Sequence, residues 1–135
     1  MPYAIGTTAA RIQLMLTNQS HQSAPSSNKY LGRIRELNDA FRRTFIGGTL
    51  MITSGVEGLS PHTRALLLHQ VRQFHDFEAG GDPYGEHDFG AIELEDTRFF
   101  WKIDYYNREL DGGSEDPVDP AKTTRVLTIM AASEY

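Results

Sequence analysis

Glu86, His87 and Asp88 stand in a row directly after the turn signal DPYG, and Asp104 and Tyr106 follow in a run rich in β-branched and aromatic residues. A carboxylate that orients an imidazole makes a group able to take up and give back a proton near neutrality, where histidine changes charge. His87 with Asp104 is the pair that suits this work, in a small hydrolase or a metal-dependent enzyme. No nucleophile stands beside them, so a bound water or a metal would have to supply the attacking atom. Glu86 and Asp88 are potential ligands, but successive strand residues point to opposite faces, and three in a row converge only if the backbone bends. Gly85 and Gly90 are where a bend or bulge would form. The competing role for the block is structural: turn stabilisation, hydrogen bonding and anchoring of a hairpin.

Other chemistry is poorly provided for. The chain has no cysteine, hence no disulfide, thiolate nucleophile or cysteine-type zinc site. His62 and His69 are seven residues apart, about two turns of helix, too far to grip one metal without partners from elsewhere. No phosphate-binding or dinucleotide-binding glycine pattern occurs. The expectation is therefore of no cofactor and no dedicated metal site.

The elements that must position these residues are legible from spacing. EHDFGAIELEDTRFFWKIDYYN carries two β-rich runs around the polar segment EDT and reads as a hairpin. Pairing Glu95 with Arg98 across Asp96 and Thr97 sets Asp88, Gly90, Ile92 and Leu94 beside Phe99, Trp101, Ile103 and Tyr105 on an apolar face. The other face then holds Glu93, Glu95, Arg98, Lys102 and Asp104 in opposite-charge pairs, with Phe100 among them. In this register Asp88 lies opposite Tyr105, and His87 lies opposite Tyr106 and diagonal to Asp104.

Tyr30, Ile34, Leu37, Phe41 and Phe45 recur at spacings of three and four, which predicts a helix stopped by Gly47 and Gly48. TLMIT, residues 49–53, predicts a strand buried on both faces. Ser60 and Pro61 write a helix start, and that helix is expected to run to about Phe77 with Leu67, Val71 and Phe74 inward, widened by Leu66 and Leu68. TTRVLTIMAA, with five β-branched residues, predicts a last strand, a short helix being the alternative. The sum is an α+β domain over residues 29–135, two helices on a small, mainly antiparallel sheet with a C-terminal hairpin. Residues 1–28, with the polar run NQSHQSAPSSN, read as a flexible arm.

Charge points to partners. The net charge of the 135 residues is −5, yet residues 76–119 hold 14 acidic and 3 basic side chains. A block of one sign suits a partner of the other or is simply a solvated face. The leading reading is a non-enzymatic protein-binding or inhibitor module with an acidic face, whose partner is basic and itself nucleic-acid-binding. Its candidate binding residues are Tyr84, Glu86, Asp88, Lys102, Tyr106, Glu109, Asp111, Glu115, Asp116 and Asp119. A third reading is nucleic-acid contact through Arg33, Arg35, Arg42 and Arg43 on the first helix, although Glu36 and Asp39 interrupt that face and the helix dipole accounts for part of it. No apolar run approaches the roughly 20 residues that cross a bilayer, and no signal-peptide order opens the chain, so the cytoplasm is the default.

The blocks RIRELNDAFRRT, DPYGEHDFG, FWKIDYYN and DPAKTTRVLTIMAASEY resemble an uncharacterised bacterial family, mainly alphaproteobacterial, designated domain of unknown function 3768. The resemblance runs from about Leu31 to Tyr135. It implies a shared fold and an accessory role tied to mobile elements, such as countering host defence, and it carries over no catalytic residue.

Overall fold

The computed structural model describes residues 28–77 and 82–135. The expected arm lies outside the described residues except for Asn28, which opens the first helix. Helix α1 spans Asn28–Thr44. Ile34 and Phe41 of its apolar stripe are buried, and Tyr30, Leu31 and Phe45 pack at the margin of the same core. The helix ends where Phe45 adopts a positive φ of 60° and Gly47 one of 109°, a left-handed exit.

Strand β1, Thr49–Ile52, follows, then a short helix α2, Ser54–Glu57, that the glycines around it had concealed. Thr53 precedes α2 and donates its hydroxyl to the carboxylate of Glu134, which also accepts from the Gly55 amide at 2.9 Å, so the C-terminal turn is tied to the end of β1. Helix α3 spans Pro61–Arg72, with Ser60 accepting from the Thr63 amide at 3.2 Å in the predicted cap. It stops five residues short of the expected Phe77. Residues 74–77 leave the helix so that both phenylalanines turn inward: Phe74 meets Trp101 edge-on at 5.4 Å, and the two rings meet each other at 5.0 Å.

Strands β2 (Phe89–Leu94), β3 (Thr97–Tyr106) and β4 (Thr124–Ala131) complete a four-stranded sheet of order β1-β4-β3-β2. It is mixed: β4 runs antiparallel to β3 and parallel to β1. β1 is an edge strand and only partly buried, not covered on both faces as its apolar run suggested. The closing segment forms the predicted strand, and its helicity is confined to a 3₁₀ turn at Ala132–Glu134.

The hairpin forms with the expected faces but in a register two residues away. Leu94 pairs with Thr97 and Glu93 with Arg98, leaving Glu95 and Asp96 as the loop. Their φ values of 53° and 64° are those of a type I′ turn, whose twist matches the strands. Because the shift is even, Gly90, Ile92, Phe99, Trp101, Ile103 and Tyr105 remain on one face, where the helices pack and where Leu127 and Ile129 of β4 join them. On the opposite face a charge pair of the expected kind, Glu93 with Arg98, forms near the hairpin tip at 3.2 Å, but the rest of that face is not a solvated, charge-paired surface. Lys102, Asp104, Tyr106, Val126, Thr128 and Met130 are all buried there, as the nearly uncharged β4 requires. Among the described residues, no helix is long and apolar enough to cross a membrane.

Candidate functional site

The segment 82–88 is built as a turn and then bent. The Gly85 amide bonds the Asp82 carbonyl at 3.2 Å, the His87 amide bonds the Asp82 carboxylate at 3.0 Å, and His87 itself has a φ of 56°. This bend keeps His87 out of strand geometry and aims it at α1, while Glu86 turns inward. Helix α1 meets the segment with one face at helical spacing: Arg35 donates to the Gly85 carbonyl at 3.0 Å, and Asn38 to the Glu86 carbonyl at 3.0 Å. Asp39 bonds Nδ1 of His87 at 2.9 Å.

Glu86 ends a buried polar chain. Arg125 Nε donates to Asn38 Oδ1 at 2.8 Å, Asn38 Nδ2 donates to the Tyr105 hydroxyl at 2.7 Å, and that hydroxyl donates to Glu86 Oε1 at 2.7 Å. Burial pushes the Glu86 carboxyl up to about 7, with the neighbouring Asp88 adding to it, against the opposing effects of the Tyr105 hydrogen bond and Lys102. Burial likewise raises Tyr105 well above the phenol range and draws Arg125 down, so the chain sits where charge is poorly solvated. Asp88, also raised by burial, approaches Lys102 Nζ at 4.0 Å; it lies opposite Ile103 instead of Tyr105, and Glu86 takes the phenol in its place.

His87 is enclosed. One ring nitrogen meets Asp39, and Nε2 stands 3.7 Å from Asp82, whose side chain is only 6 % exposed. The imidazole also stacks on Phe77 with centroids 3.7 Å apart. Asp104 takes no part. Its side chain belongs to the other face of the sheet, level with Val126. The expected His87–Asp104 pair is therefore not assembled, because the bend at His87 directs the ring to a helix 48 residues earlier in the chain. With Asp39 at one nitrogen and Asp82 near the other, the ring ties the turn to α1. Among the described residues, no group of three or more His, Asp or Glu side chains is gathered as a metal site.

The remaining candidates separate into two sets. Tyr84, Glu109, Asp111 and Glu115 are exposed. Lys102 and Tyr106 are buried, Asp116 accepts from the Tyr30 hydroxyl at 3.1 Å, and Asp119 accepts from the Ala121 amide at 2.9 Å, so these serve the fold. The four arginines of α1 do not form one surface. Arg42 is buried with its guanidinium 5.3 Å from the ring centroids of both Phe77 and Trp101, bonded to Asp39 at 2.9 Å and to the Phe74 carbonyl at 3.1 Å. Burial lowers its affinity for the proton and Asp39 restores part of it.

Asn38, Asp39 and Arg125 were not read from the sequence as site residues. The signal was present: Arg35, Asn38, Asp39 and Arg42 share a helix face at spacings of three and four, beside the apolar stripe. No curated protein and no solved structure matches the chain. The profile of one family does, over residues 52–134, from the end of β1 through the 3₁₀ turn, and the chain belongs to that family, described as protein of unknown function (DUF3768).

Proposed function

We propose that the chain is a protein-binding module that engages a basic partner through an acidic surface. The observation that supports this most is the ordered state of the loop between β3 and β4. The Ser114 amide bonds the Tyr105 carbonyl at 2.9 Å, Asn107 bonds Gly112 at 2.9 Å, and Thr123 bonds the Asp116 carbonyl at 2.8 Å. Glu109, Asp111 and Glu115 project from this pinned backbone. Acids held in place lose little freedom when a partner arrives, and complementary charge steers the encounter. An accessory inhibitor that covers the basic site of a nucleic-acid-binding defence protein would use such a surface. The hydrolase reading loses its pairing of His87 with Asp104, and the nucleic-acid reading loses Arg42 to the core.

The test is affinity capture with the full chain, followed by titration of any recovered partner at rising salt. Binding should weaken with salt, and Glu109→Gln with Glu115→Gln should weaken it about tenfold, since both side chains are exposed and the one ion pair lost, Glu115 with Lys122 at 3.5 Å, is itself exposed and contributes little to stability. A partner bound equally well by this variant, or no salt-sensitive partner at all, would overturn the proposal.

A further inference from the structure

Among the described residues, strand β2 leaves one side of its backbone open. Ile103 donates to the Asp88 carbonyl at 2.9 Å, which sets the alternation of the ladder. Gly90, Ile92 and Leu94 turn their main-chain groups to β3, and Phe89, Ala91 and Glu93 turn theirs outward. Among the described residues, no hydrogen bond reaches these outward groups. Proteins usually guard such an edge with lysine, proline, a bulge or a covering element. FGAIEL has neither lysine nor proline, and its six pairs with β3 run without a bulge.

A groove follows the open edge. Two adjoining hollows, of about 330 and 270 Å³, share Phe74, Asp76, Ala91 and Glu93. One extends to Ile92 and His75, the other to Phe89 and Arg98. The two hollows adjoin along β2 and residues 74–77, where the side chains of an added strand would lie.

We propose that this edge binds an extended segment of the partner protein by strand addition, and that the segment carries basic side chains; the inference rests on the protein-binding reading and names its site. Main-chain bonds to Phe89, Ala91 and Glu93 supply the attachment and the hollows receive side chains of the segment. Charge chooses the occupant. The rim carries Asp76 and Glu93, with Glu95 and Asp96 at the hairpin tip, and its cation Arg98 is already paired with Glu93 at 3.2 Å. A basic strand meets the opposite sign.

The probe is the peptide acetyl-Lys-Val-Lys-Val-Lys-Val-amide, titrated into isotope-labelled full chain. Expected are amide shifts at Phe89, Ala91 and Glu93 and along residues 74–77, with the glutamate counterpart of the peptide at least about tenfold weaker. Methylating the peptide's alternate amide nitrogens, one edge at a time, should give one analogue that binds and one about tenfold weaker. Ala91→Pro, which deletes an outward N–H that the fold does not use, should abolish the shifts. Shifts elsewhere, equal binding by the two methylated peptides or by the glutamate peptide, or a dimer of the free chain would each overturn the proposal. The methylated pair decides even if the proline variant fails to fold. If a captured partner tolerates Ala91→Pro yet is lost with Glu109→Gln and Glu115→Gln, the edge assignment falls and the acidic-surface reading stands.

Discussion

His87 lies flat against Phe77, the two ring planes within 4° of parallel, while its Nδ1 is held by Asp39 at 2.9 Å. The stacked ring and the helix carboxylate together clamp the turn at 82–88 onto α1. The same Asp39 holds the buried guanidinium of Arg42, so one carboxylate serves a surface-proximal imidazole and an interior cation.

The clamp predicts an unequal pair of losses. His87→Ala removes one hydrogen bond and a ring contact and should cost about 1–2 kcal/mol. Asp39→Ala also strands Arg42 inside the protein, which raises the loss to about 3–5 kcal/mol. Urea unfolding of both single variants and the double variant should give a coupling of about 1 kcal/mol. The same cycle between His87 and Asp104 should give none. A coupling to Asp104 as large as that to Asp39 would contradict the geometry.

Glu86 predicts a pH dependence of known sign. Its carboxyl titrates at about 7 in the folded chain, against an ordinary value of 4.5. The folded state holds the proton more firmly, so the contribution is complete below about pH 4.5, fades as pH rises to about 7, and is absent above. Unfolding free energies of the native chain and of Glu86→Gln, compared at each pH, should diverge by on the order of 3 kcal/mol across that interval. Asp88 is present in both proteins and largely cancels in the difference. A difference that stays constant from pH 4 to 8 would show that Glu86 keeps an ordinary affinity for its proton.

Local periodicity carried the helices and the hairpin faces, since the stripe of Ile34 and Phe41 and the alternation of Trp101 and Ile103 depend on near neighbours alone. Partners far apart in sequence were another matter. Asp39 and His87 are joined by a bend at a non-glycine residue with positive φ, which no turn signature announces. Lys102 and Asp104 looked like a solvated face because their charges alternate, yet they are central-strand residues and the sheet buries both its faces at their level. The register went astray for a related reason: Glu95-Asp96 is a poor advertisement for a type I′ turn, which favours Asn-Gly.

That mismatch is itself a prediction. Glu95 and Asp96 both occupy the left-handed region, with φ of 53° and 64°, where a side chain other than Asn or Gly crowds the backbone. Replacing them by Asn and Gly together should stabilise the chain by about 1 kcal/mol, because the turn then adopts its preferred residues without altering the ladder. The exposed contact of Glu95 with the Thr63 hydroxyl, 3.2 Å in length, is the loss to set against this, and an exposed bond of that kind contributes little. Thermal unfolding of Glu95→Asn with Asp96→Gly measures the outcome. A fall in melting temperature would mean that the contact with Thr63 anchors the hairpin tip to α3 more strongly than the strained turn resists it, and Thr63→Val in the native chain should then reproduce the same loss.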